Sequence, residues 1–136
     1  MATDFAGAHD RHLSDAEHLE NSARLSNADH LYGFAAECGL KALMTKFGMP
    51  VDPAGDPLRP NRVHIDSLWT RYSVYASGPS ASAYQLDATN HFDDWRAADR
   101  YAEDGHVTAT SLERHRNGAA QVDALVRQAR VEGLLP

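Results

Sequence analysis

The stretch Asn27–Met44, NADHLYGFAAECGLKALM, decides the fold. Its residues are almost all apolar or small, and it contains no proline. Alanine, leucine, methionine, glutamate and lysine are strong helix formers, so the stretch reads as a helix. On a wheel of 100° per residue, apolar or small side chains point in nearly every direction. A helix apolar almost all round belongs in a core. The exceptions are His30, Glu37 and Lys41, seven and eleven residues apart, which return close to one face. They form a polar stripe on a buried helix.

Working outward, Gly48 supplies a stop and Pro50 a breaker, so this helix ends near Phe47. Ser26 or Asn27 is suited to cap its start. Upstream, Leu13, Ala16, Leu19 and Ala23 predict a first helix over about 10–23. Downstream, GMPVDPAGDPLRPN holds four prolines and two glycines and reads as a surface loop. Ile65, Leu68, Trp69, Tyr72 and Ala76 restore helical spacing. The segment SASAYQLDATNHF predicts a weaker helix, and DDWRAADRYAEDGH one or two turns. Thr110-Ser111-Leu112-Glu113 has capping-box spacing. It opens a last helix to about Glu132, with Leu112, Ala119, Val122, Val126 and Ala129 on one side. No segment alternates as a strand does. The expected fold class is all-α: an up-and-down bundle of four to five main helices, residues 1–136 forming one domain.

Composition excludes several functions. The 43% hydrophobic content argues against disorder. A formal net charge of −6 argues against generic electrostatic binding to nucleic acid. The cations are unevenly divided, eleven Arg against Lys41 and Lys46; genome composition accounts for that more simply than phosphate recognition. The single cysteine, Cys38, allows no internal disulfide, and its apolar helical setting predicts an inert thiol. No apolar run approaches the ~20 residues of a membrane span, and the first residues lack a signal-peptide core, so the cytoplasm is expected. His9, His12 and His18 share no tight face, and neither HExxH nor paired CxxC occurs; no metal and no cofactor are expected.

The stripe admits two readings. In one it is the solvated edge of a core helix, with Glu37 and Lys41 a favourable i,i+4 pair of ~0.2–0.5 kcal/mol. In the other it lies in a groove, where carboxylate, ammonium and imidazole converge on a ligand or a facing arginine. WRAADRY likewise reads two ways. Trp95 and Tyr101 clamp a short helix to the bundle, or Arg96 or Arg100 reaches the Glu37 stripe.

Taken together, NADHLYGFAAECGLKALM, HIDSLW, DRYAEDGHVT and ERHRNGAAQVDALV resemble, in order and spacing, the successive helices of HEPN-domain proteins. The resemblance spans about 11–126. It implies a helical bundle, often a homodimer, acting either as a ribonuclease of toxin–antitoxin or defence type or as a non-catalytic module. The module would bind a nucleotide, RNA or protein partner, and no membrane. HEPN ribonucleases pair an Arg with a His across four to six intervening residues, metal-independently. Arg100–His106 has that spacing, as do Arg24–His30, Arg11–His18 and Arg59–His64. With eleven Arg and eight His, about two such pairs arise by chance. Tyr101 follows Arg100 where the family places a short polar residue. The expectation is therefore a non-catalytic binding or regulatory module. Its binding residues would be His30, Glu37, Lys41, Arg96 and Tyr101. A ribonuclease using Arg100 and His106 is one alternative, and a structural oligomerisation domain another.

Overall fold

The computed structural model describes residues 1–136. Four helices form the bundle: α1 (Phe5–Asn21), α2 (Leu25–Lys46), α3 (Ile65–Tyr75) and α4 (Ala109–Val131). There is no strand, only an isolated bridge between Val51 and Pro57. No helix is long and apolar enough to cross a membrane.

α2 is the central post, as its composition predicts. From Tyr32 to Met44 every side chain except Phe34 is buried. α1, α3 and α4 pack around it. The expected apolar stripes of α3 and α4 are all buried. Phe47 caps α2, and Gly48 follows at φ +103°, the left-handed conformation that ends the helix.

Several boundaries differ from the sequence expectation. α1 starts five residues earlier than residue 10, at Phe5, because the Asp4 carboxylate accepts from the Gly7 amide at 2.9 Å. α2 starts at Leu25 behind Arg24, so neither Ser26 nor Asn27 caps it. The capping box of α4 is Thr108 with Ser111, not Thr110 with Glu113. The weak helix expected over 80–92 is absent beyond a 3-10 turn at Pro79–Ala81. Side chains hold this chain extended instead: Trp69 Nε1 donates to Asp87 O at 3.0 Å, and Asn90 Nδ2 to Asp66 O at 2.8 Å. These bonds reach across 18 and 24 residues, so tertiary contacts override the local preference for helix.

The helix directions also depart from up-and-down alternation. His64, just before α3, meets Glu37, whereas Tyr72, near its end, meets Phe47. α3 therefore follows α2 in the same sense, and the proline-rich loop runs back along α2 to make this possible. The extended segment then returns the chain: Tyr84 bonds Glu132 near the end of α4, whereas Phe92 stacks on His115 near its start.

Glycines in α2 let large neighbours approach its backbone. A Cβ built on Gly33 falls 2.2 Å from the Trp95 ring, and one on Gly39 falls 2.5 Å from Val122 and 2.9 Å from His9. Trp95 is fully buried, so the added methyl meets packed ring atoms. Gly33→Ala gains up to about 1 kcal/mol of helix propensity but overpacks at a cost of about 1–3 kcal/mol. The expected result is a lower urea midpoint; an unchanged or higher one would show that Trp95 is not seated on Gly33.

Candidate functional site

Glu37 and Lys41 are 7% and 8% exposed, so the stripe is not a wet edge. Lys41 Nζ donates to Glu37 Oε2 at 3.0 Å. Its other neighbour is Phe5, whose ring centroid lies 5.8 Å from Nζ, a cation–π contact. The second carboxylate oxygen, Oε1, is 3.0 Å from His64 Nδ1. Both oxygens of a buried carboxylate are thus held by cationic or ring donors, as burial of a charge requires.

His64 is the N-cap residue of α3, but its side chain makes no cap hydrogen bond. It turns to Glu37 instead and is half-exposed, its side chain retaining 52% of its surface. A relay therefore runs from buried Lys41 through Glu37 to an accessible imidazole. It borders a cleft of about 330 Å³ between the start of α1, the proline-rich loop and α2. Arg62 and Asp56 also line it. Arg62 is held by Pro57 O at 2.6 Å and Asp52 at 3.3 Å, and Asp56 accepts from the Thr3 hydroxyl at 2.6 Å.

An aromatic face continues the relay along α2. Phe34 packs against His12, His30, His64 and Trp95, with ring centroids 5.9, 4.9, 6.2 and 5.4 Å away. Burial lowers the His12 pKa, helped by Arg11 and opposed by Asp15 and Glu37. Burial likewise lowers that of His30, against the pull of Asp99. Both rings are thereby biased to the neutral form that stacks. His30 lies 4.9 Å from Trp95 at 18°, so it belongs to this face and not to the Glu37–Lys41 pair.

The WRAADRY residues lie elsewhere. Neither arginine contacts Glu37. Arg96 donates to the carbonyls of Asp93 and Trp95, both at 2.8 Å, and pairs with Asp66 at 3.4 Å. Arg100 donates to Ala97 O at 3.0 Å and lies 4.6 Å over the Tyr101 ring. His64 holds the place expected of an arginine. The Ala97–Tyr101 stretch is a 3-10 turn held by Trp95 and by Ala97 against the core, not by Tyr101, which is 77% exposed. His106, also exposed, sits 3.6 Å from Asp99.

Two buried imidazoles lie outside this face. His9 Nδ1 is 2.7 Å from Ala35 O and its Nε2 2.9 Å from Asp123, tying α1, α2 and α4 together. His115 Nδ1 is 2.6 Å from Asp29 and its Nε2 2.7 Å from Asp94. Both had a legible signal: His9 is in helical phase with Ala6, Leu13 and Ala16, and His115 with Leu112, Ala119 and Val122, all core-facing positions. For Phe34 the signal is its i+4 step from His30; for His64 it is the HIDSLW motif.

No set of three or more His, Cys, Asp or Glu side chains is arranged to hold a metal ion. Burial pushes the Cys38 thiol up to about 12, which disfavours the reactive thiolate. Comparison with protein-family models, with curated proteins and with solved structures finds no match to this chain.

Proposed function

We propose that the chain is a non-catalytic HEPN-like binding and regulatory module, a homodimer that engages a nucleotide, RNA or protein partner through the α2 face. The observation that carries this reading is the Lys41–Glu37–His64 relay. A buried ion pair is a poor source of stability, so its presence beside a cleft and an aromatic face favours a binding role. Phe34 and the surrounding histidines offer flat rings on which a base or an aromatic side chain stacks. The bland alternative, a structural oligomerisation domain, leaves this arrangement without a use.

Amide-resolved NMR titration with adenosine monophosphate and with a short single-stranded RNA tests it. Shifts concentrated at Phe34, Lys41 and His64, without RNA cleavage, are the expected result. Silence with both probes confines the reading to a protein partner. The ribonuclease reading draws on Arg100 and His106 lying in one exposed segment, with Asp99 paired to His106. It requires RNA cleavage that Arg100→Ala and His106→Ala each abolish with helicity intact. Light scattering at micromolar concentration should give twice the 14.9 kDa chain mass; a clean monomer sinks the dimer.

A further inference from the structure

Both ring nitrogens of His115 face carboxylates, Asp29 from α2 and Asp94 from the segment leading to α4. A carboxylate only accepts, so the ring must donate from both nitrogens, and only the imidazolium can. Arg114 is the other charge at this junction, paired with Asp94 and, at 3.0 Å, with Asp93. His91 lies alongside, against Arg114 O and Asp87. The protonated ring thus joins α4, α2 and the segment that precedes α4.

Apart from Trp95 and the partly buried Ala97, that segment puts few side chains into the bundle. Between Asp93 and His106 only Trp95 is buried. Its flanks are fixed: Phe92 is buried between Trp69 and His115, and Thr108 caps α4. Its remaining links to the bundle include Arg96–Asp66 and the pairs of Arg114 with Asp93 and Asp94, all with exposed or half-exposed members that contribute little.

Beneath it lies an unresolved cost. The three buried side-chain polar atoms without a hydrogen-bond partner are His30 Nδ1, His30 Nε2 and Trp95 Nε1. All belong to the one stack that Trp95 closes. Orphaned nitrogens oppose closure, because opening gives each of them water.

We propose that Asp93–His106 is a flap, latched by His115 to Asp94, which closes Trp95 over the His30 stack and opens when His115 gives up a proton. The neutral ring keeps one N–H. Asp29, almost wholly buried, retains it, whereas Asp94 has water to turn to. Loss of the Nε2 proton therefore releases the segment and leaves the α2–α4 contact in place. Opening uncovers His30, Trp95 and one side of Phe34, so the latch controls the extent of the aromatic face. The latch is independent of any ligand.

Indole N–H exchange by NMR tests this within one molecule. Trp69 Nε1 is bonded to Asp87 O and serves as the internal standard for base-catalysed exchange. From about pH 5.5 to about pH 8.5, protection of the Trp95 indole should fall at least about tenfold relative to Trp69, in step with the His115 ring resonances and with constant helicity. Asp94→Asn keeps the shape but removes the outer charge, and should give low Trp95 protection at every pH. Constant Trp95 protection while His115 titrates would overturn the proposal. So would loss of Trp95 protection only together with helicity, or a wild-type pH profile in Asp94→Asn.

Discussion

Replacing His115 with leucine is expected to destabilise the protein by about 3–5 kcal/mol near pH 6, the cost of leaving one member of a buried ion pair alone. Asp29 is 4% exposed, and its carboxylate has His115 as its partner. Leucine fills much of the ring's volume, so the loss measures the stranded charge more than a cavity. The double change Asp29→Leu with His115→Leu removes both charges and should recover most of the loss. Asp94 stays half-hydrated and contributes less. Urea unfolding of the variants decides it, and a loss under about 1 kcal/mol in His115→Leu would mean that water reaches Asp29.

The pH dependence has a definite sign. Burial lowers the His115 pKa, but the hydrogen bonds and charges of Asp29 and Asp94 outweigh it, and the net shift is upward. A raised value means stability fully present below the unfolded histidine value of about 6.5 and lost as pH rises through the folded one. For Asp94, burial raises the pKa, but His115 and Arg114 more than reverse it, and the net shift is downward. That contribution is present above the unfolded aspartate value of about 3.9 and lost as pH falls through the folded one. The contact is strongest between those two unfolded values. The wild-type advantage over His115→Leu should peak there and shrink towards about pH 9.

Helix identity was legible wherever burial repeated at helical spacing, because one-sided apolar patterning is what packing selects. Ile65, Leu68, Trp69, Tyr72 and Ala76 all reach the core. The segment 80–92 departs from the predicted helix because its conformation is set by distant partners: Trp69 donates to its backbone, Asp66 O accepts from its Asn90 side chain, and Gln121 accepts from the Asp87 amide at 2.9 Å. Nothing local announces such bonds. The same limit applies to the site. The stripe of His30, Glu37 and Lys41 is visible on a wheel, since it lies on one helix. Glu37's second partner is not, because His64 is 27 residues away and reaches it only when the loop folds back. WRAADR, with two arginines, was the more obvious source of a cation. Trp95 decides against it: by seating on Gly33 and stacking on His30, it leaves the segment's arginines to its outer side.

Glu37→Gln is expected to cost about 3–5 kcal/mol, although it changes one atom of the side chain. The amide keeps the shape and can still accept one hydrogen bond, so packing is preserved. What changes is the charge. Lys41 would remain 8% exposed, its ammonium left with the Phe5 ring and a neutral oxygen. The amide oxygen can stay on Lys41 while the NH₂ donates to His64, whose Nδ1 accepts in the other tautomer, so both contacts of 3.0 Å can persist without the charge. A solvated i,i+4 pair would lose only about 0.3–0.5 kcal/mol. The gap between the two magnitudes makes urea unfolding decisive. Lys41→Met in the Glu37→Gln background removes the stranded charge and should restore part of the loss, because a buried pair replaced by apolar groups is often neutral. Lys41→Met alone should be costly, since it strands Glu37 with His64. If Glu37→Gln falls within error of wild type, the ammonium has a route to water along the cleft, and the relay holds no buried charge.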